Sequence, residues 1–159
     1  MAMSTPITVR GLEKLREELK NLKGVRRPQV VQAIAEAREK GDLSENAEYD
    51  AAKEEQALIE GRIAELESKI PAFQVIDPKK LDAGDKVVFG ATVELEDEET
   101  GATVTYQLVG DDESDITQNL VSISSPIARA LIGKSEGDDI TVHAPSGDKD
   151  YYIAKVSYI

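Results

Sequence analysis

The sequence contains no cysteine and no tryptophan, and aromatic residues make up only 4% of its 159 residues. Without cysteine, neither a disulfide framework nor a thiolate metal site can form. This composition fits a reducing compartment. With so few aromatic side chains, a thick core along the whole chain is not expected, whereas a thin pair of helices needs few large side chains.

Targeting and membrane-spanning segments are also missing from the sequence. Residues 1–9 lack the basic start and the apolar run of a signal peptide, and no stretch approaches 18 apolar residues. We therefore expect a soluble, cytoplasmic protein with no membrane partner.

Positive charge is scarce. The net charge is −12, and it is uneven: residues 1–77 hold 12 Lys and Arg against 15 Asp and Glu, whereas residues 78–159 hold 7 against 16. Proteins that bind DNA or RNA on their own neutralise phosphates with clustered cations. Contact with nucleic acid is therefore expected only within a larger complex in which another molecule holds this chain.

The residues from Thr8 to Lys40 predict one long helix, with Thr8 as its N-cap. Its leucines follow gaps of three, four and three residues, which is coiled-coil spacing, and they are Leu12, Leu15, Leu19 and Leu22. The apolar spacing resumes at Val30 with a shift of one residue. Because Gly24 and Pro28 lie at this discontinuity, we expect a kink or a coiled-coil stutter there.

A second helix is predicted from Tyr49 to Ile70, where gaps of three and four residues alternate. Two helices that fold back on each other should pair residues whose numbers have a constant sum. The sum is 85 for Leu15–Ile70, Leu19–Leu66 and Leu22–Ile63, and 86 for Val30–Gln56, Ile34–Ala52 and Ala37–Tyr49. The sequence therefore predicts an antiparallel hairpin with arms of about 45 Å. Because this hairpin satisfies both apolar stripes within one chain, we expect a monomer.

The turn of this hairpin carries three carboxylates, Asp42, Glu45 and Glu48. One interpretation is structural, because acidic groups cap helix N-termini and are stabilised by the helix dipole. The other is functional: the acids lie at the end of an arm that is longer than packing requires. Two carboxylates cannot fill the octahedral shell of Mg²⁺, so such a site would have to be shared with another molecule.

The C-terminal half predicts a compact α+β domain of about 80 residues. Two strands are expected at Lys86–Glu96 and Ala102–Val109, joined by a turn, and further strands at Leu120–Ile123, Ile140–Val142 and Tyr151–Ile159. Ser125 followed by Pro126 predicts the start of a short helix that Gly133 ends. The domains are therefore expected at 1–77 and 78–159.

The hairpin turn has a specific sequence, IAEAREKGDLSENAEY at residues 34–49. This run resembles the hairpin tip of the GreA/GreB transcript-cleavage factors of bacterial RNA polymerase. Further parts of the chain resemble the same family, and they are Leu12–Glu18, Val25–Pro28, Gly110–Glu113 and Ser125–Lys134. The resemblance covers essentially the whole chain.

This resemblance implies a coiled-coil hairpin followed by an FKBP-like domain. In the family, that domain docks at the rim of the polymerase secondary channel, and the hairpin enters the channel. It implies that Asp42 and Glu45 help to hold a catalytic Mg²⁺ and a water in the polymerase, which then cleaves its own backtracked RNA. Glu48 and Tyr49 would have a supporting role, and the protein would not itself be an enzyme.

The charges of the second helix favour a GreA-like over a GreB-like chain, because acidic residues follow Lys53. Arg38 and Lys53 flank the tip and could contact RNA phosphate, although a solvated helix face is the simpler interpretation.

Two other functions stay open at this stage. A regulator could occupy the polymerase channel without inducing cleavage. A peptidyl-prolyl isomerase is suggested only by the FKBP-like fold, whose pockets are usually lined by aromatic residues. The C-terminal domain has one Phe and four Tyr but no Trp.

Overall fold

A computed structural model describes residues 5–41 and 46–159. They form two compact units: one is Glu13–Phe73, and the other is Gln74–Ile159 together with the described residues up to Leu12. The first unit is helical and the second combines helix and sheet, which confirms the predicted α+β class. The division at residues 77 and 78 stays a prediction about domain architecture.

The first long helical segment has three parts. Helix α1 covers Val9–Asn21, a π-helical turn covers Leu22–Arg26, and helix α2 covers Arg27–Glu39. A π turn inserts one extra residue into a helix. At the discontinuity where a kink or a coiled-coil stutter was predicted, the structure has this π turn, which accommodates the one-residue shift of the apolar stripe.

Helix α3 covers Ala47–Lys69, and a 3₁₀ turn at Ile70–Ala72 contains Pro71. Helix α3 packs against α2, as the antiparallel prediction requires. The buried side chains that form this core are Val30, Ile34, Ala52, Ile59 and Ile63, with Leu19, Leu22 and Tyr49 packed against them. All eight belong to the two predicted stripes, so the predicted apolar faces of the two arms are confirmed. Within the described residues, no helix is long and apolar enough to cross a membrane.

Ion pairs join the two arms in addition to the apolar core. Arg62 donates to both oxygens of Glu18, at 2.6 and 2.8 Å, and Arg27 donates to both oxygens of Glu60, at 2.8 and 2.7 Å. Arg26 also pairs with Glu55 across the arms. Exposed ion pairs contribute little stability individually, but they select the antiparallel register that places opposite charges side by side.

The C-terminal unit contains a five-stranded sheet in the order β5-β4-β3-β7-β6. Its strands are β3 (Thr92–Asp97), β4 (Thr103–Val109), β5 (Leu120–Ser122), β6 (Asp139–Ala144) and β7 (Gly147–Ser157). Only β4 and β5 run parallel; the other neighbours are antiparallel. Helix α4, Pro126–Leu131, begins at the predicted N-cap Ser125, whose hydroxyl accepts from the Ala128 N–H at 3.3 Å. This arrangement agrees with the FKBP-like fold.

The predicted first strand of this unit is wrong in its N-terminal half. Residues 86–91 are not in a strand, although Lys86 forms an isolated bridge with Ser135. The backbone turns at Gly90, where φ is +89°, and the Val88 N–H donates to the Tyr158 hydroxyl at 3.0 Å instead of to a neighbouring strand. The last strand also differs, because β7 begins at Gly147 and not at Tyr151.

Two short strands were not predicted from the sequence. Strand β1, Thr5–Thr8, pairs with strand β2, Phe73–Ile76. Each has only four residues, so neither shows a periodic pattern of useful length, and each depends on a partner about 65 residues away.

The start of α1 is held within the C-terminal unit by Glu113. Its carboxylate accepts from the Thr8 N–H at 2.8 Å, from the Thr8 hydroxyl, and from the Gly110 N–H at 3.0 Å. The Thr8 hydroxyl in turn accepts from the Gly11 N–H at 3.0 Å, which confirms Thr8 as the predicted N-cap. The cap of this helix is therefore oriented by a residue 105 positions away.

Candidate site at the end of the helical hairpin

The end of the hairpin lies between the last residue of α2, Glu39, and the first residue of α3, Ala47. The two predicted ligands, Asp42 and Glu45, lie outside the described residues. Gly41 follows the helix with φ at +113°, a conformation that glycine adopts at helix C-termini. Another residue at position 41 would be strained whatever space it had.

Asn46 contacts both helices with one side chain. Its Oδ1 accepts from the Tyr49 N–H at 3.1 Å, which makes Asn46 the N-cap of α3. Its Nδ2 donates to the Ala37 carbonyl oxygen, in the last turn of α2, at 2.7 Å. The cap of α3 is thus supplied by Asn46, and the capping role considered for Asp42 and Glu45 is not needed for this helix.

A second link across the hairpin end joins Lys40 to Glu48. The Lys40 ammonium donates to Glu48 Oε2 at 2.8 Å, and both side chains are exposed. This hydrogen bond raises the pKa of Lys40 above its usual value of 10.5, because Glu48 stabilises the charged ammonium. Glu48, predicted as a supporting residue, is therefore engaged by a neighbouring cation.

Three other residues were predicted to act near the tip, and their side chains have different surroundings: Tyr49, Arg38 and Lys53. The ring of Tyr49 is half-buried against the hairpin core, and the Arg38 guanidinium lies over it, 5.9 Å from the ring centroid. Lys53 lies one turn further along α3 and donates to Gln56 at 3.2 Å. Arg38 and Tyr49 are thus brought together, whereas Lys53 is held on its own helix. Contact of Arg38 and Lys53 with RNA stays a prediction.

Among the residues that the structure describes, no group of three or more His, Asp or Glu side chains could hold a metal ion. The chemistry of Asp42 and Glu45 suits Mg²⁺, because this ion prefers oxygen ligands. Two carboxylates supply only part of its six-oxygen shell. The donor set therefore fits a magnesium site that another molecule completes.

Asn46 is the residue that the sequence-based prediction overlooked. The signal was present, because an Asn directly before a helical apolar pattern and just ahead of an acidic first turn is a typical N-cap. The prediction concentrated on the carboxylates and placed the capping alternative on Asp42 and Glu45. The bond from Asn46 to Ala37 had no sequence signal, since it depends on how the two helices are paired.

Comparison with known proteins decides the family. Residues 5–75 match the family model described as "Transcription elongation factor, N-terminal", and residues 82–158 match "Transcription elongation factor, GreA/GreB, C-term". The chain belongs to the GreA/GreB family. The predicted resemblance to this family is thereby confirmed.

Curated members of the GreA/GreB family match over nearly the whole chain. Transcription elongation factor GreA of Verminephrobacter eiseniae is 65% identical over 153 residues, covering 96% of this chain and 97% of that protein. GreA of Alkalilimnicola ehrlichii is 63% identical over 153 residues, with the same coverage. The crystal structure of GreA factor homolog 1 from Thermus thermophilus is 27% identical, covers 96% of this chain and 98% of that chain, and has a TM-score of 0.43. The family assignment rests on the sequence matches.

Proposed function

We propose that this member of the GreA/GreB family binds bacterial RNA polymerase in the cytoplasm and stimulates the polymerase to cleave the 3′ end of its own backtracked RNA. In this proposal the chain donates groups to the polymerase active site and is not an enzyme alone. One observation carries the proposal: the N-cap of α3 is Asn46, so neither of the two acids in the turn has to fill that position.

The hairpin has the length that this function needs. Helix α3 has 23 residues and is therefore about 35 Å long at 1.5 Å per residue. Its apolar core and its cross-arm ion pairs hold α3 against α2. A packed pair of helices of this length suits entry into the secondary channel, whereas the C-terminal domain would dock at the channel rim, as the family resemblance implies.

Asp42 and Glu45 would contribute carboxylate oxygens to a Mg²⁺ site that polymerase groups and water complete. A magnesium ion bound there would activate a water and stabilise the displacement at phosphorus. The two acids would act by supplying negative charge and hard oxygen ligands at the end of the arm. Glu48 would have only a supporting role, as the family motif implies, and its carboxylate accepts a hydrogen bond from Lys40.

The test measures RNA cleavage in backtracked polymerase complexes with 3′-labelled RNA. We expect Asp42→Asn and Glu45→Gln each to lower the cleavage rate by about a hundredfold or more, because an amide loses the charge that a magnesium ligand supplies. Binding to polymerase should change less than about twofold. Glu54→Gln makes the same chemical change at an exposed position on α3 and should cleave like the unchanged protein.

Two results would contradict the proposal. Full cleavage with both tip variants would show that the acids are not donated to the active site. Tight binding of the unchanged protein without any shortened RNA would instead indicate a channel-binding regulator that does not induce cleavage.

A further inference from the structure

One half-buried amide group joins the two helices at the end of the hairpin. Asn46 Nδ2 lies 2.7 Å from the Ala37 carbonyl oxygen, and Asn46 Oδ1 lies 3.1 Å from the Tyr49 nitrogen. The Ala37 carbonyl is among the last four of α2, and the Tyr49 N–H is among the first four of α3. Groups at these positions lack the usual i to i+4 partners within their own helices. A single side chain therefore serves the end of one helix and the start of the next.

The second link across the same segment is the ion pair between Lys40 and Glu48, and it is weaker than the hydrogen bonds of Asn46. The side chains of Lys40 and Glu48 are 63% and 64% exposed, and exposed ion pairs contribute little because water screens them. The Asn46 amide is neutral and partly buried, and its acceptor belongs to Ala37, which is only 2% exposed. A bond in such surroundings competes with little water, and its loss leaves the Ala37 carbonyl oxygen, among the described residues, with only the Lys40 N–H, at 3.2 Å.

We infer that Asn46 is a positioning residue for RNA cleavage, because its bonds to Ala37 and Tyr49 set the separation of the two ends of the segment that carries Asp42 and Glu45. This inference rests on the proposed function. Groups donated to an active site must be held within about 0.5 Å of productive geometry. A displacement of about 1 Å can slow a reaction about a hundredfold.

The chemistry of the amide explains why asparagine is required. The Asn46 side chain offers one acceptor and two donor hydrogens, and both kinds of group are used here. Serine at this position would keep the helix cap, because Ser is among the preferred N-cap residues. It would lose the bond to Ala37, because the serine side chain is one heavy atom shorter, and a hydroxyl placed to accept from the Tyr49 N–H would not reach the Ala37 carbonyl oxygen.

The experiment compares Asn46→Ser with the unchanged full-length protein on backtracked polymerase. We expect the maximal cleavage rate at saturating factor to fall about tenfold or more, while the factor concentration for half-maximal cleavage stays within about twofold. The Mg²⁺ concentration for half-maximal cleavage should rise, because two carboxylates that are no longer held in place bind a shared ion less well. Helix content should be unchanged, because the cap is kept, whereas the midpoint of thermal unfolding should fall slightly, because the Ala37 carbonyl oxygen loses one hydrogen bond.

Lys40→Gln is the matched control, since it removes the exposed link across the same segment. It should leave the maximal rate within about twofold. A Lys40→Gln variant as slow as Asn46→Ser would overturn the inference, because any disturbance of the hairpin end would then have the same effect.

Two further outcomes overturn the inference. One is an unchanged maximal rate with Asn46→Ser, and the other is a loss confined to the half-saturating factor concentration, which would indicate a role in binding. Asp42→Asn and Glu45→Gln are measured in the same assay to separate this failure from that of the proposed function. If they are inactive while Asn46→Ser is fully active, only the inference fails; if they are fully active, the proposed function fails and the inference fails with it.

Discussion

Gly11 in α1 and Gly61 in α3 are both glycines inside a helix, but the space around their Cα atoms differs. A Cβ added to Gly11 would overlap Glu113 Oε1 and would lie 2.9 Å from Glu113 Cβ, so the backbone of α1 approaches that side chain closely. A Cβ added to Gly61, in the middle of α3, would have nothing within 4 Å. Packing therefore requires glycine at position 11 but not at position 61. At position 61 glycine only has the cost of being less favourable than alanine in a helix interior.

We therefore predict opposite effects of the same substitution at these two sites. Gly11→Ala should lower the free energy of unfolding by about 1–3 kcal/mol, because Glu113 is held by its hydrogen bonds and cannot move aside freely. Gly61→Ala should raise it by about 0.5–1 kcal/mol by reducing the freedom of the unfolded chain. Urea unfolding of both variants checks this, and a stabilised Gly11→Ala variant would contradict the close contact with Glu113.

Among the elements, the two arms of the hairpin are joined by charge as well as by apolar packing. The Arg62 guanidinium donates two hydrogen bonds to Glu18, and these bonds hold the pKa of the Glu18 carboxyl below its usual value of 4.5. A carboxyl whose pKa is lower in the folded state stabilises that state above the unfolded pKa. Its contribution is lost as the pH falls through the folded pKa.

This dependence on protonation predicts that Glu18→Gln changes the free energy of unfolding by an amount that varies with pH. At pH 7 the variant should be less stable by up to about 1 kcal/mol, because the pair is only partly buried and water still screens it. The difference should shrink as the pH falls from about 4.5 through the lower pKa of the folded state, below which Glu18 is protonated in both the folded and the unfolded protein. Thermal unfolding followed by circular dichroism from pH 3 to 7 measures it.

Glu54→Gln provides the comparison for this titration, because Glu54 is an exposed carboxylate on α3 for which no ion pair is seen in the described structure. Its stability difference should stay near zero across the same pH range. A Glu18→Gln difference as large at pH 3 as at pH 7 would show that the ionised carboxylate is not responsible.

In the whole molecule, the two compact units do not divide the chain at a single point. The described residues up to Leu12 belong with Gln74–Ile159. Ile7, in β1, is fully buried, and β1 contacts β4 of the large sheet. The stability of the C-terminal unit should therefore depend on a strand that lies more than 60 residues before it in the sequence.

Ile7→Ala tests this dependence. We expect it to lower the free energy of unfolding of the C-terminal unit by about 2–5 kcal/mol, as for other buried isoleucines. Four of the five tyrosines lie within residues 74–159, so tyrosine fluorescence during urea unfolding reports mainly on this unit. Val9→Ala, at a neighbouring exposed position, should change the midpoint little. A tyrosine transition unaffected by Ile7→Ala would contradict the assignment of β1 to this unit.

Sequence alone determined the features that depend on local spacing. The apolar stripes of the two arms determined that they pair as an antiparallel hairpin and in which register, because side chains three and four residues apart share one helix face. The order of the residues also placed Asp42 and Glu45 in the turn between the arms, and the motif around them identified the family.

Tertiary structure alone decided the features that depend on distant partners. It decided that a π turn accommodates the shifted stripe, since α1, the turn and α2 all have to face α3. It decided that residues 86–91 leave the sheet, that β1 pairs with β2, and that Glu113 orients the cap of α1. It also joined Asn46 to Ala37. Each of these depends on two groups that come close only after the chain has folded, and no local pattern encodes such a distance.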